Sequence, residues 1–280
     1  MARLGANCYG KSRVRLSRIT RSADRHDFNE WTVQVLLHGD FETSFTEADN
    51  SRILPTDTMK NTVYSIARRS SAATIEEFAM ELGDYLLNNN PQVSKASIEI
   101  DEKCWERLVI DRIPDATTFK LAGDEVQTVR AERDREGGWV ITSGVDGLTI
   151  LKTTKSAFTG YIKDRLTTLK PAADRILGTR ATIRWDYVSV SPKFSEVRAR
   201  IIAVLLKEFA AHHSMSVQHT LFDMGKAALS AAPEIARIHL AMPNLHHLLA
   251  DLSHFGQDNP NHIFVPIDEP HGYIEATIER

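Results

Sequence analysis

The stretch Trp31-Thr32-Val33-Gln34-Val35-Leu36-Leu37 puts large apolar side chains at every second position: Trp31, Val33, Val35 and Leu37. Successive side chains of an extended chain point to opposite faces, so this period of two describes a strand with one buried face. Upstream, Val14 to Thr20 is the natural partner. Arg21 to Asn29 between them is charged and turn-rich, which predicts a hairpin with a long looped end. Beyond Pro55 the period changes. Met59, Val63, Ile66 and Ala67 recur three or four apart, as do Ile75, Phe78, Leu82, Tyr85 and Leu86, and each set marks an amphipathic helix. Thr74 with Glu77 three residues later is a capping box, and Asn88-Asn89-Asn90-Pro91 stops the second helix. Val93 to Leu108 and Thr117 to Arg133 read as strands again.

The order then repeats. After the turn Asp134-Arg135-Glu136-Gly137-Gly138, Trp139 to Leu151 is strand-like, and Ile183, Trp185 and Tyr187 alternate with Thr182, Arg184 and Asp186. Phe194 to Ala210 and Val217 to Leu229 carry helical periodicity, and Ile238 to Met242 and Gly272 to Ile278 close the chain as strands. The pattern is ββααββ twice, an α+β duplication with expected domains 1–136 and 137–280. Each half offers a four-stranded, mostly antiparallel sheet with helices on one face. The uncovered face calls for a second copy.

The 280 residues are 42% hydrophobic and 25% charged, which excludes disordered and collagenous chains. A net charge of −3 argues against a dominant nucleic-acid footprint. No run approaches the ~20 apolar residues of a membrane span, and no secretory or peroxisomal signal is evident, so the expected location is cytoplasmic. Cys8 and Cys104 suit a reducing compartment.

No Gly-x-Gly-x-x-Gly, phosphate loop, Gly-x-Ser-x-Gly or His-Glu-x-x-His occurs, so no cofactor is expected. The doublets His212-His213 and His246-His247 point neighbouring rings apart, and no metal site is expected. Three polar clusters stand out. Asn7-Cys8-Tyr9-Gly10-Lys11 precedes a strand. Pro55-Thr56-Asp57-Thr58-Met59-Lys60-Asn61-Thr62 stands at a helix start, where open backbone N–H groups bind an anion or where Thr56 or Asp57 simply caps its own helix. Pro243-Asn244-Leu245-His246 reads as a polar turn after a strand.

These blocks, with Gly147-Leu148-Thr149-Ile150-Leu151-Lys152, Thr153-Thr154-Lys155-Ser156-Ala157-Phe158, Thr167-Thr168-Leu169, Asp174-Arg175-Ile176-Leu177, Ser216-Val217-Gln218 and Met242-Pro243-Asn244-Leu245-His246-His247, resemble the urate oxidase (uricase) family in order and spacing. Phe255-Gly256-Gln257-Asp258-Asn259-Pro260-Asn261 resembles its bacterial branch, while Leu166 replaces an aromatic common in the family. The resemblance implies tandem tunnelling-fold domains whose sheets close into a barrel on dimerisation. It also implies a homotetramer with active sites between chains, and cofactor-free oxidation of urate by O₂ to 5-hydroxyisourate and hydrogen peroxide.

Carried over by position, Arg175 and Gln218 clamp urate with the backbone N–H of Val217, and Phe158 stacks on the purine. Thr56 and Asp57 of the neighbouring chain meet its five-membered side. Lys11, Thr56 and His246 form a proton relay, with Lys11 bonded to Thr56. Asn244 and Thr56 hold O₂ and then water above the ring. A cyclohydrolase- or pterin-aldolase-like relative would carry a Glu anchor at Gln218. A purine-binding scaffold would have lost Lys11, Thr56 or His246.

Overall fold

The computed structural model describes residues 2–280, the side chain of Asp268 excepted. They fall into two units, Met1–Asp146 with Asp186–Ser195, and Gly147–Trp185 with Glu196–Arg280. The expected boundary at 136/137 falls in a tight turn in which the Gly137 N–H donates to the Asp134 carbonyl at 2.9 Å.

The first unit opens with β1 (Tyr9–Arg21) and β2 (His26–Gly39), continues with helices α1 (Glu42–Thr46), α2 (Thr56–Arg69) and α3 (Ile75–Asn89), and returns through β3 (Val93–Ile110) and β4 (Ile113–Asp134) to β5 (Trp139–Lys152). Its strands lie in the order β1-β2-β3-β4-β5, each pair antiparallel. Trp31, Val33, Val35 and Leu37 are all buried, and the Trp31 ring stacks on Phe78 of α3 at 4.8 Å. The alternation in β2 thus meets the helical stripe of α3 in one core, to which Met59, Val63 and Ile66 of α2 also belong. Tyr85, expected on that stripe, is exposed.

Two expected loops are shorter than the composition suggested. β1 and β2 pair out to Arg21 opposite His26, and the turn closes with the Ser22 N–H on the Arg25 carbonyl at 2.9 Å. Charged residues occupy the strand ends because these reach past the helices into solvent. Similarly, β3 and β4 run on to a two-residue turn at Asp111-Arg112, whose positive φ values of 50° and 70° match the twist of a tight hairpin.

The second unit holds the rest of β5, all but the last two residues of β6 (Leu177–Tyr187) and all but the first two of α4 (Phe194–Ala211), with α5 (Val217–Ala231), β7 (Ile235–Ala241), β8 (Asn244–Leu249), β9 (Phe264–Gly272) and β10 (Glu275–Glu279). Its main strand order is β5-β6-β7-β10, and β8 pairs with both β6 and β9. Gly225 lets α5 lie close on β10, since a Cβ there would stand 2.6 Å from Ile278 Cδ1.

Here the sequence expectation fails twice. Pro243-Asn244-Leu245-His246 is no simple turn, because a strand begins at Asn244 and pairs with Thr179 and Gly272. The single closing strand is also interrupted, with Gly272 ending β9 and Glu275 beginning β10. The segment's alternation is too short and its polar content too high for periodicity to reveal the extra pair.

Candidate active site

The second unit contains a cavity of about 340 Å³ lined by six of the nine expected site residues: Phe158, Arg175, Val217, Gln218, Asn244 and His246. Leu169 and Ile274 are among its apolar walls. Phe158 is fixed by a two-bond bridge to Ala172, with N···O distances of 2.8 and 3.0 Å. Tyr161 stacks on Phe158 at 5.0 Å and 12°, and its hydroxyl donates to the Leu169 carbonyl at 2.6 Å. The Arg175 guanidinium lies 5.2 Å from the Phe158 ring centre.

Asp174 sets the backbone beside Arg175. It accepts from Thr154 Oγ1 at 2.5 Å, from the Ser156 N–H at 3.2 Å and from the Arg175 N–H at 3.1 Å. The Thr154 bond, then the bond from Ser156, holds its carboxyl below the ordinary aspartate value. The Arg175 guanidinium itself has no acceptor among the described residues, and its Nε is buried without a partner. Burial lowers its pKa, yet a guanidinium stays charged. It is a donor fork with no acceptor among the described residues.

Val217 and Gln218 open α5. The Ser216 hydroxyl caps this helix by accepting from the His219 N–H at 3.1 Å. That cap leaves the Val217 and Gln218 N–H groups open at the positive end of the helix dipole. Asn244 is buried at the start of β8. His246, two residues on, has its pKa lowered, first by burial and then by the charges of Arg175 and His271.

The other three expected residues belong to the first unit. Gly10 precedes Lys11 and allows β1 to approach β2 closely, since a Cβ at this position would collide with the Val35 carbonyl oxygen. A bulge follows between Lys11 and Val14, with Arg13 at φ 57°, and such a bulge re-aims the side chains beside it. The start of α2 settles the alternative left open above. Pro55 is the N-cap and no side chain caps the helix. Asp57 turns instead to Lys60 and to Asn61 Nδ2, the latter at 3.1 Å. The bond to Lys60, with a smaller charge contribution from Lys11, keeps its carboxyl below the usual range. Among the described residues no hydrogen bond joins Lys11 to Thr56.

Three positioning residues escaped the sequence reading. Tyr161 and Asp174 are two. Tyr9 is the third, its hydroxyl accepting from the Leu54 N–H at 2.8 Å and donating to the Leu54 carbonyl at 3.2 Å. That pair of bonds ties β1 to the segment just before α2. An aromatic or acidic residue within a few positions of each site block was the available signal.

A family model described as Uricase matches residues 7–132 and 141–275. The chain is 42% identical over 278 residues to a uricase of Arthrobacter globiformis, covering 99% of this chain and 90% of that one. It is 38% identical over 292 residues to a uricase-2 of Phaseolus vulgaris, covering 97% and 94%. The crystal structure of the Arthrobacter globiformis uricase superposes with a TM-score of 0.94 at 41% identity, covering 100% of this chain and 96% of that one. The urate oxidase of Bacillus sp. TB-90, at 21% identity and a TM-score of 0.84, shares the fold. The chain belongs to the uricase family, whose enzymes oxidise urate with O₂ to 5-hydroxyisourate and hydrogen peroxide.

Proposed function

We propose that this chain oxidises urate in purine degradation as a cytoplasmic homotetramer, without metal or flavin, in sites formed between two copies of its tandem tunnelling-fold domains. The observation that carries the reading is the Arg175 guanidinium, half-buried beside Phe158 and unpaired among the described residues, in a cavity that also presents Gln218 and the open Val217 N–H. A planar fork of donors next to an aromatic face fits a flat heterocycle carrying adjacent carbonyl and ring-nitrogen acceptors. No helix among the described residues is long and apolar enough to cross a membrane.

In this reading Arg175, Gln218 and the Val217 N–H grip the six-membered side of urate, and Phe158 sets its plane. Thr56 and Asp57 of the partner subunit meet the five-membered side through the uncapped start of α2. Deprotonated urate is electron-rich enough to pass an electron to O₂ held by Asn244 and Thr56. The radical pair collapses to a peroxide at the ring carbon. Hydrogen peroxide then leaves, and water adds to give 5-hydroxyisourate, so urate, O₂ and H₂O balance 5-hydroxyisourate and H₂O₂. Lys11, once bonded to Thr56, and His246 move the protons between ring, peroxide and solvent. Holding the reactants and stabilising the anion are the protein's contributions.

The test is urate-dependent O₂ uptake in the presence of a chelator, with peroxide followed in parallel. Equal uptake and peroxide release, insensitive to chelator, supports cofactor-free oxidation. A protein that binds urate and takes up no O₂ is a purine-binding relative instead.

A further inference from the structure

Beside the clamp, α4 and α5 bring together a group of side chains that urate oxidation does not use. His212, just past the end of α4, directs Nδ1 to within 3.3 Å of Asp223 Oδ2, and His219 Nε2 on α5 approaches the same oxygen to 3.3 Å. His219 and Asp223 are four residues apart on one helix, hence on one face. One ligand atom from each of the three residues lies within 4.8 Å of the other two. The two imidazoles meet edge to face with ring centres 4.6 Å apart.

We propose that His212, His219 and Asp223 form a binding site for a divalent transition-metal cation of the zinc type, clipping the end of α4 to the first turns of α5.

Geometry favours a metal over a hydrogen-bonded cluster. Ligands about 2.0–2.1 Å from a tetrahedral zinc ion stand roughly 3.3–3.4 Å from one another, and both His-to-Asp spacings match that edge. A charge-assisted imidazole–carboxylate bond would draw in to about 2.7–2.9 Å. The ligand types agree too, since two imidazoles and one carboxylate form a common three-ligand set for zinc, leaving a fourth position for water. His212 is a built component rather than a surface group. Its side chain is only 9% exposed, and its Nε2 is enclosed with no hydrogen-bond partner among the described residues.

The surrounding charge is compatible. Glu208 Oε1 lies 4.0 Å from His212 Nδ1 and offers a second carboxylate. Lys152 is the nearby opposing cation, but its Nζ is engaged by the carbonyls of His212 and Phe209 at 2.6 and 3.3 Å. His219 follows Gln218 directly, so the cation would stiffen the turn that carries the clamp.

The test is Zn²⁺ titration of chelator-stripped, full-length protein by calorimetry, in a Cys8→Ser/Cys104→Ser background to remove thiol binding. One Zn²⁺ per chain is expected. His219→Ala and Asp223→Asn, each checked for native far-UV circular dichroism, should weaken it by more than the ~10–100-fold that loss of an outer-shell partner alone gives. Co²⁺ should give visible d–d bands that both variants lose. Absence of binding by the parent protein, or binding unchanged in both variants, would overturn the site. Either result leaves the urate reading untouched.

Discussion

The guanidinium of Arg175 stands 5.2 Å from the centre of the Phe158 ring and finds no acceptor among the described residues. A charged group held half-buried and unpaired is costly unless a ligand completes it. Arg175→Gln should therefore lower kcat/KM for urate by about 10²–10³-fold, the scale on which a key charge-stabilising donor acts. Its melting temperature should stay at or above that of the parent, because no intramolecular bond is lost. Steady-state kinetics and a thermal melt check the two halves together.

Helices α2 and α3 of the first unit begin differently, and that difference separates structure from function. Thr74 caps α3 with the Glu77 N–H at 3.3 Å, whereas Thr56 caps nothing. Thr74→Ala should cost about 1 kcal/mol of stability and leave the KM for urate alone. Thr56→Val should stay within roughly 0.5 kcal/mol of the parent and lose most of kcat. Chemical denaturation read beside O₂ uptake checks both.

Gly10 lets β1 lie against the Val35 carbonyl of β2, and Lys11 is the next residue. Gly10→Ala should destabilise the fold by about 1–3 kcal/mol through overpacking, and should lower kcat as Lys11 is displaced. A companion Lys11→Met variant should lower kcat with stability unchanged. An unaltered pH–rate profile in that variant would remove Lys11 from the relay.

His246 has a folded pKa below its ordinary value of 6.5. Folding thus favours the neutral ring, and its share of stability is complete above pH 6.5. It declines as pH falls through the folded pKa, because the unfolded chain binds the proton more readily. Arg175 and His271 oppose that proton by charge. Relative to His246→Gln, the parent should lose stability on acidification below pH 6.5 and show no pH-dependent difference above it. Melts across pH 5 to 8 test the sign.

Much of the fold was readable from periodicity. The alternation of Trp31 to Leu37 is the buried face of β2, and the Thr74–Glu77 spacing is a capping box in space. What escaped depended on tertiary pairing. β8 starts at a polar Asn244 because Thr179 and Gly272 supply its ladder, which no local pattern announces. The capping alternative at Thr56 or Asp57 is not realised: Pro55 takes the N-cap position, and Asp57 bonds Lys60 and Asn61 instead. For the site, the blocks holding Phe158, Arg175, Val217, Gln218, Asn244 and His246 were visible as motifs, and only the family resemblance, no local pattern, implied their meeting in one cavity. The His212, His219 and Asp223 cluster has no contiguous motif, because His212 joins the pair on α5 from just past the end of α4. The informative spacing was His219 to Asp223, one helical turn apart.

The most direct measurement is subunit complementation. Thr56→Ala and Arg175→Gln chains, each folded and inactive alone, are unfolded together and refolded as a mixture. If Thr56 of one copy meets Arg175 of another, random pairing restores up to about a quarter of the sites, and urate-dependent O₂ uptake returns. A mixture that forms hybrid tetramers and stays inactive would contradict an active site built between chains.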